Sequence, residues 1–347
     1  MLINNTEIGK NATPFVIAEM SGNHNHSLDR ALAIVDAAAK SGVQAIKLQT
    51  YTAETLTLDM RSEDFMVNDD QSLWKGNSLH DLYKQAYTPW EWHKPIMQRA
   101  HELGLICFSS PFDESSVDFL EELNVPAYKI ASFENIHLPL IKKVASTGKP
   151  MIISTGMANV AEIHEAVDTA RTAGCSNLIL LKCTSTYPAT PEDSNILTIP
   201  HMRELFKCQV GLSDHTMGVG VSIAAVAHGA TVIEKHFTLS RADGGVDSTF
   251  SLEPDEMKLL VVETERAWRS LGCVVYGGTG NEEKSKVFRR SLYVSDNIKA
   301  GEKLTANNLK VIRPGYGLPP KFYDVLLGKT VNQDIEKGTA MKWNFIL

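Results

Sequence analysis

Two histidines stand at matching places in this sequence. His215 lies in GLSDHT and His236 in TVIEKHFT; each follows a short apolar run, one beside Ser213 and Asp214, the other beside Glu234 and Lys235. Two imidazoles with nearby carboxylates suit a divalent metal that keeps positions open for water and substrate. Taken singly, either histidine reads as a hydrogen-bonded structural residue; the matched pair is what points to a metal. The ends of other apolar runs carry Lys47, Lys129, Ser110, Ser132, Ser154 and Ser213, a set of cations and hydroxyls that grips a phosphate and a carboxylate together. A serine in such a place is commonly only a helix cap, whereas a lysine there must bring a strongly hydrated charge to a mouth of the fold. Glu19, Gln49, Glu234 and Asp247 complete the group as ligands or acid–base candidates. Lys47 or Lys129 has a rival use as a Schiff-base lysine, and the residues alone leave that reading open.

These residues need a scaffold that gathers strand ends. Apolar strand-like runs centre near residues 16, 46, 106, 128, 152, 180, 210 and 233, and helical patterns separate most of them. Helices are expected at Leu28 to Lys40 (broken by Gly42), Pro89 to Leu103 with Thr88 as N-cap, a stretch ending at Glu122, Ala161 to Ala173, the alanine-rich VGVSIAAVAHGA, and Pro254 to Leu271. Eight alternating βα units predict a closed parallel (β/α)8 TIM barrel, whose chemistry sits at the C-terminal ends of its strands. Tyr51 to Thr88 reads as a long irregular insertion, a functional loop or lid. Gly277, Gly278, Thr279 and Gly280 mark a linker, and the rest is short strand-like runs and turns, a small β or irregular domain. The expected division is residues 1–272 barrel, 273–284 linker and 285–347 C-terminal domain.

Composition narrows the classes of function. The 347 residues carry a net charge of −7, with no long basic run, so nucleic-acid binding is not expected. No apolar run approaches the ~20 residues of a membrane span, and MLINNTEIGKN lacks a signal-peptide core. Five widely spaced cysteines form neither a disulfide framework nor a zinc pattern; Cys107 and Cys183 read as packing residues. A reduced, cytoplasmic enzyme is expected. No GxGxxG follows the first strand and no GxxxxGK[ST] occurs, so no nucleotide-binding motif is present.

The motifs FVIAEM, AIKLQTY, SSPFD, YKIAS, ISTGM, CTSTYP, GLSDHT, EKHFT, SLEP, and RRSLY leading to IRPGYGLPP together resemble the sialic acid synthase family across nearly the whole chain. The resemblance implies a barrel joined to an antifreeze-like (SAF, β-clip) domain. It also implies a domain-swapped homodimer, and condensation of phosphoenolpyruvate with an amino-sugar aldehyde. It implies that His215 and His236 hold a divalent ion, often Mn2+, with Mg2+ and Co2+ also suited. It places Lys47, Lys129, Ser110, Ser132, Ser154 and Ser213 around phosphoenolpyruvate. Glu19, Gln49, Tyr187 and Asp247 face the sugar, Glu234 lies near the reacting water or aldehyde, and Arg313 reaches the sugar's N-acyl group from the partner subunit. Either Glu234 or Asp247 takes the water's proton. SLWKGNSLHDLYKQAYTPWEWH and GGVDSTFSLEP resemble the branch that takes 2,4-diacetamido-2,4,6-trideoxy-L-altrose. GGVDS replaces the GPDH-type stretch typical of the N-acetylneuraminate-forming branch, which uses N-acetylmannosamine. Within the family, an N-acetylneuraminate or legionaminate synthase is the alternative. Beyond it, two further classes stay in view: a metal-independent Schiff-base aldolase, and a non-catalytic carbohydrate- or surface-binding module, against which the full set of polar strand ends argues.

Overall fold

A computed structural model of the chain describes residues 1–69 and 72–347. The chain divides into two compact units, Met1–Gly272 and Cys273–Leu347. The first opens with a hairpin, β1 (Leu2–Ile3) against β2 (Thr6–Glu7). Eight parallel strands then close into a barrel: β3 (Phe15–Glu19), β4 (Ala45–Thr50), β5 (Ile106–Pro111), β6 (Tyr128–Ile130), β7 (Met151–Ser154), β8 (Leu178–Cys183), β9 (Gln209–Ser213) and β10 (Val232–His236), with β10 pairing back to β3. All eight coincide with the strand-like runs of the sequence.

Why the functional side chains meet follows from strand parity. Successive side chains of a strand point to opposite faces. Phe15, Ile17, Ala45, Ile106, Phe108, Ile152, Ile179, Leu181 and Val232 form one buried cluster, joined by Ile3 and Ile8 of the hairpin. Val16, Ile46, Cys107, Ile153, Leu180, Val210 and Ile233, one residue out of step, belong to a second cluster shared with the surrounding helices. The first cluster is the inside of the barrel. Counting on by two along each strand reaches Glu19, Lys47, Gln49, Ser110, Lys129, Ser154, Cys183, Ser213, Glu234 and His236. The alternation that packs the interior therefore also aims these polar residues inward at the C-terminal mouth.

The helices agree with their sequence signals except at Thr88 and in the insertion after β4, and Leu138–Ala145 and Thr198–Phe206 are helices that no sequence signal named. Leu28–Ser41 starts at Ser27, whose side chain accepts from the Arg30 amide, and stops at Gly42, whose φ of 85° is open to glycine at little cost. Trp90–Glu102 begins after Pro89, but Thr88 does not cap it. Thr88 is buried, with Oγ1 3.2 Å from His24 Nε2. A hydroxyl taken into that polar contact cannot also serve the helix end. The insertion after β4 is less irregular than its composition implies: it holds helices Ala53–Leu56 and Leu79–Ala86, each begun by a side-chain cap, Thr52 and Ser78. Its residues Asp70 and Gln71 lie outside the described set. Among the described residues no helix is long and apolar enough to cross a membrane.

The second unit has no regular secondary structure until the helix Gly280–Ser285. Beyond it, β11 (Ser291–Val294) pairs antiparallel with β12 (Leu309–Ile312). Leu292, Val294, Ile298, Leu304, Leu309 and Leu326 build a small core of its own. Arg313 follows β12 directly and is exposed.

Candidate active site at the barrel mouth

The floor of the mouth is a buried cluster of charge. Lys47 Nζ stands 2.5 Å from Glu19 Oε2, 3.7 Å from Glu234 Oε1 and 3.2 Å from Ser110 Oγ. Lys129 Nζ is 3.6 Å from the same Glu234 oxygen, to which Ser213 Oγ donates at 3.4 Å. Gln49 Nε2 donates to Glu19 Oε1 at 3.0 Å. Lys47 is 3% exposed and Lys129 2%, so neither charge can be relieved by solvent. Burial works against the Lys47 ammonium, but the Glu19 and Glu234 carboxylates outweigh it and raise its pKa. Lys129 has only the more distant Glu234, and burial lowers it. Glu234 is itself held low: the two ammoniums overcome the burial that would raise it. Burial pushes Glu19 up to about 7 despite Lys47.

His215 and His236 are brought together, their ring centroids 5.3 Å apart. His215 Nδ1 lies 2.8 Å from the Thr184 carbonyl. A carbonyl only accepts, so Nδ1 carries the proton and Nε2 keeps its lone pair for a ligand. His236 Nδ1 is buried with no hydrogen-bond partner, and Asp247 Oδ2 lies 3.9 Å away. Burial, then neighbouring His215, drives His236 well below its ordinary value, into the neutral form that binds metals. No cluster of three or more histidine, cysteine or acidic side chains in metal-binding geometry occurs among the described residues. His236 offers a lone pair as it stands, and His215 offers one at Nε2 when its ring is neutral, although, against burial, Cys183 and the Thr184 carbonyl raise its pKa. The pair fits an ion that takes its remaining ligands from water and substrate. Ser21 Oγ donates to Asp247 Oδ2, and burial raises the Asp247 carboxyl.

None of the four strand-end serines caps a helix with its side chain. Ser110 and Ser213 face the charge cluster, Ser132 Oγ accepts from the Gly156 amide at 3.3 Å, and Ser154 Oγ is buried without a partner. Gly156 is required there. A Cβ on it would run into Ser185 Oγ and lie 2.7 Å from Ser132 Oγ. Together with Glu234 Oε2 and His236 Nδ1, also unpartnered, Ser154 Oγ leaves three buried polar atoms at one mouth with capacity for a ligand.

Above this floor lies a cavity of about 420 Å3, bordered by Gln49, Ser132, Tyr187, His236 and Asp247. Tyr187 stacks its ring 4.5 Å from His215, and Phe250 stands 4.9 Å from His236. The structure thus gathers every sequence-chosen residue of the barrel; Arg313 belongs to the second unit. Some site residues had gone unnoticed. Glu134 borders the cavity with Oε2 unpartnered, and burial lifts its carboxyl to about 7. Its signal was present, an ionisable residue just past the end of KIAS. Cys183 departs from the packing role expected of it: its Sγ lies 4.0 Å from His215 Nδ1. Burial raises this thiol, but a protonated His215 beside it outweighs burial and brings it to about 6, and the thiolate in turn raises His215. Trp74 and Phe250 had no signal, since an aromatic in a loop looks the same whether or not it reaches a site.

Comparison with known proteins agrees with this geometry. The NeuB family matches residues 34–276 and the SAF domain residues 289–347. A pseudaminic acid synthase of Campylobacter jejuni is 44% identical over 94% of this chain and 95% of its own. One from Helicobacter pylori is 40% identical over 94% of this chain and 96% of its own. The crystal structure of an N-acetylneuraminic acid (sialic acid) synthetase from Leptospira borgpetersenii serovar Hardjo-bovis, in complex with citrate, superposes with a TM-score of 0.73 at 31% identity. It covers 82% of this chain and 94% of that one. The chain belongs to the NeuB family, the sialic acid synthase family that its motifs resemble, and carries that family's barrel followed by a SAF domain.

Proposed function

We propose that this enzyme is a pseudaminic acid synthase. It condenses phosphoenolpyruvate with 2,4-diacetamido-2,4,6-trideoxy-L-altrose and water, giving pseudaminic acid and phosphate. The observation that carries the reaction is the buried Lys47–Glu234–Lys129 cluster beneath a neutral histidine, with Ser154 Oγ, Glu234 Oε2 and His236 Nδ1 unpartnered around it. The choice of sugar rests on the 44% identity to the Campylobacter jejuni enzyme.

Phosphoenolpyruvate brings a phosphate and a carboxylate. Lys47 and Lys129 offset their charge, and the hydroxyls of Ser110, Ser132, Ser154 and Ser213 donate to their oxygens. His215 and His236 would hold a divalent ion, Mn2+, Mg2+ or Co2+, which when bound supplies a Lewis acid for the aldehyde oxygen of the open sugar. Glu19, Gln49 and Tyr187 orient the sugar so that its aldehyde carbon faces C3 of the enol. The C3 electron pair forms the new C–C bond, the aldehyde C=O pair moves onto its oxygen, which takes a proton from Asp247, and C2 becomes electron-poor. Water adds at C2, and Glu234 or Asp247 takes its proton. The C2–O bond to phosphate then breaks, the electron pair leaving with phosphate as the ketone forms. Glu234, already ionised between two ammoniums, suits the base; Asp247, raised by burial, suits proton return. We further propose a domain-swapped homodimer in which Arg313 of a second copy meets the sugar's N-acyl group. The five unpaired cysteines support a reducing, cytoplasmic setting.

One observation favours a second reading. The lowered pKa of buried Lys129 is what a Schiff-base aldolase needs. Phosphate release with phosphoenolpyruvate, Mn2+ and either the altrose sugar or N-acetylmannosamine, each with a chelator control, separates the possibilities. Chelator-sensitive release with the altrose sugar supports the proposal. Release with N-acetylmannosamine alone moves the chain to the neuraminate branch. Borohydride trapping of pyruvate on Lys129, unaffected by chelator, replaces the mechanism.

A further inference from the structure

The cavity over the mouth has two unlike walls. The barrel side carries its polar groups, Gln49, Ser132, Glu134, His236 and Asp247, among apolar residues such as Phe112 and Phe133. The opposite side comes from the insertion after β4, through Leu56, Val67, Trp74, Leu79 and Leu82. The polar tips that the described part of this wall offers are the Tyr51 and Tyr83 hydroxyls and Trp74 Nε1. Trp74 Nε1 is already engaged, donating to the Val246 carbonyl at 3.0 Å. That bond spans the wide sequence gap between the insertion and the loop that carries Asp247, and the Trp74 ring leans on Tyr187 with centroids 5.7 Å apart. The apolar wall is therefore fastened to two residues that border the sugar's place.

We propose that this wall is a subsite for the apolar substituents of a deoxysugar, foremost the C6 methyl group, and that it selects against the same sugar bearing a C6 hydroxyl. The inference rests on the substrate reading above and names what enforces it. A methyl against Leu56, Val67 and Leu79 leaves water for apolar contact. A hydroxyl in the same place gives up its hydrogen bonds to water and meets the aliphatic side chains of Leu56, Val67 and Leu79; of the wall's polar tips the indole N–H is already taken, and the Tyr51 and Tyr83 hydroxyls are the ones left.

The test is a pair of sugars that differ only at C6: 2,4-diacetamido-2,4,6-trideoxy-L-altrose and 2,4-diacetamido-2,4-dideoxy-L-altrose. The readout is kcat/KM from phosphate release. An unsatisfied buried hydroxyl lowers kcat/KM about 5- to 150-fold, the equivalent of about 1–3 kcal/mol. Val67→Thr with Leu79→Gln gives the wall polar partners, and the ratio should narrow at least fivefold, mainly through better use of the hydroxylated sugar. Two results overturn the inference while leaving the enzyme's identity intact. One is turnover of both altrose sugars by the unmodified protein within twofold. The other is an unchanged ratio in a double variant that still turns over the deoxysugar. Release with N-acetylmannosamine and neither altrose sugar overturns the substrate reading and this inference with it. Should the double variant fail to fold, the ratio in the unmodified protein decides alone.

Discussion

Replacing Lys235 by methionine should destabilise the barrel more than any other single change near the site. Lys235 is 1% exposed and lies on the helix-facing side of β10, out of step with the interior residues. Its Nζ is 3.0 Å from Asp214 Oδ2, 2.6 Å from the Thr216 carbonyl and 2.8 Å from the Gly218 carbonyl. Asp214, equally buried, accepts from the Thr216 amide and hydroxyl at 2.9 and 2.7 Å and from Ser222 Oγ at 2.6 Å. Methionine keeps most of the volume but leaves the carboxylate with neutral donors only, and two carbonyls with none. Removing one partner of a buried pair costs about 3–5 kcal/mol. At about 2–4 °C per kcal/mol for a unit of this size, the thermal midpoint falls by about 6–20 °C. Circular dichroism melts of the single variants and of the Asp214→Asn, Lys235→Met double variant measure it. The double variant removes both charges, so its loss should fall well short of the sum of the two single losses. A loss below about 1 kcal/mol for Lys235→Met, or strict additivity, would refute the reasoning. Function is tied to the same bond, because Asp214 immediately precedes His215 and Lys235 immediately precedes His236.

Three further outcomes are expected. Lys129→Ala should lower kcat by about 10²- to 10³-fold, the scale of losing one preorganised charge at a site. The variant should stay folded by circular dichroism, because burial already disfavours this ammonium and Glu234 keeps Lys47 as a partner; near-normal turnover would remove Lys129 from the mechanism. Glu134 binds its proton up to about pH 7 in the folded protein, against 4.5 in the unfolded chain. The folded state then holds the extra proton within that window, so this group's contribution is fully present below 4.5 and is lost as pH rises towards 7. Melts at pH 5 and pH 8 should show Glu134→Gln gaining on the unmodified protein at the higher pH, and an equal difference at both would refute it. Gly156→Ala pushes a methyl into Ser132 and Ser185. On the proposed role of Ser132 in holding phosphoenolpyruvate before and during reaction alike, it should raise KM for that substrate about tenfold with a smaller change in kcat.

The barrel was legible because its signal is redundant. Each strand states its position twice, in an apolar run and in the ionisable residue that ends it, as in Ile233 leading to Glu234 and His236. Parity does the rest. Once Val232 is inside, Glu234 and His236 are inside too, and so is Cys183 after Leu181. Reading Cys183 as a packing residue looked only at its apolar neighbours and ignored this count. Thr88 shows the opposite failure. Threonine before proline at a helix start is a sound local signal, yet a buried contact with His24, distant in sequence, claims its hydroxyl. Local rules give way wherever a tertiary partner competes for the same atom.

The loops were hard to read for the same physical reason. Trp74 reaches the site through the Val246 carbonyl, and Ser21 through Asp247 Oδ2, partners more than 170 residues away in each case. No period links such residues, because nothing repeats. The division has a consequence for how such an enzyme can change. Residues fixed by strand parity cannot be moved singly: shifting the register of β10 by one would carry Glu234 and His236 outward together and bring Lys235 in. Residues fixed by loop contacts can be exchanged one at a time, because the barrel holds its mouth without them. On the proposed function, the condensing chemistry falls to the strand ends and the choice of sugar to the insertion and the loop around Asp247. Exchange of those two segments together should transfer substrate preference, whereas exchange of either alone should lower activity on every sugar, since it breaks the bond from Trp74 to the Val246 carbonyl.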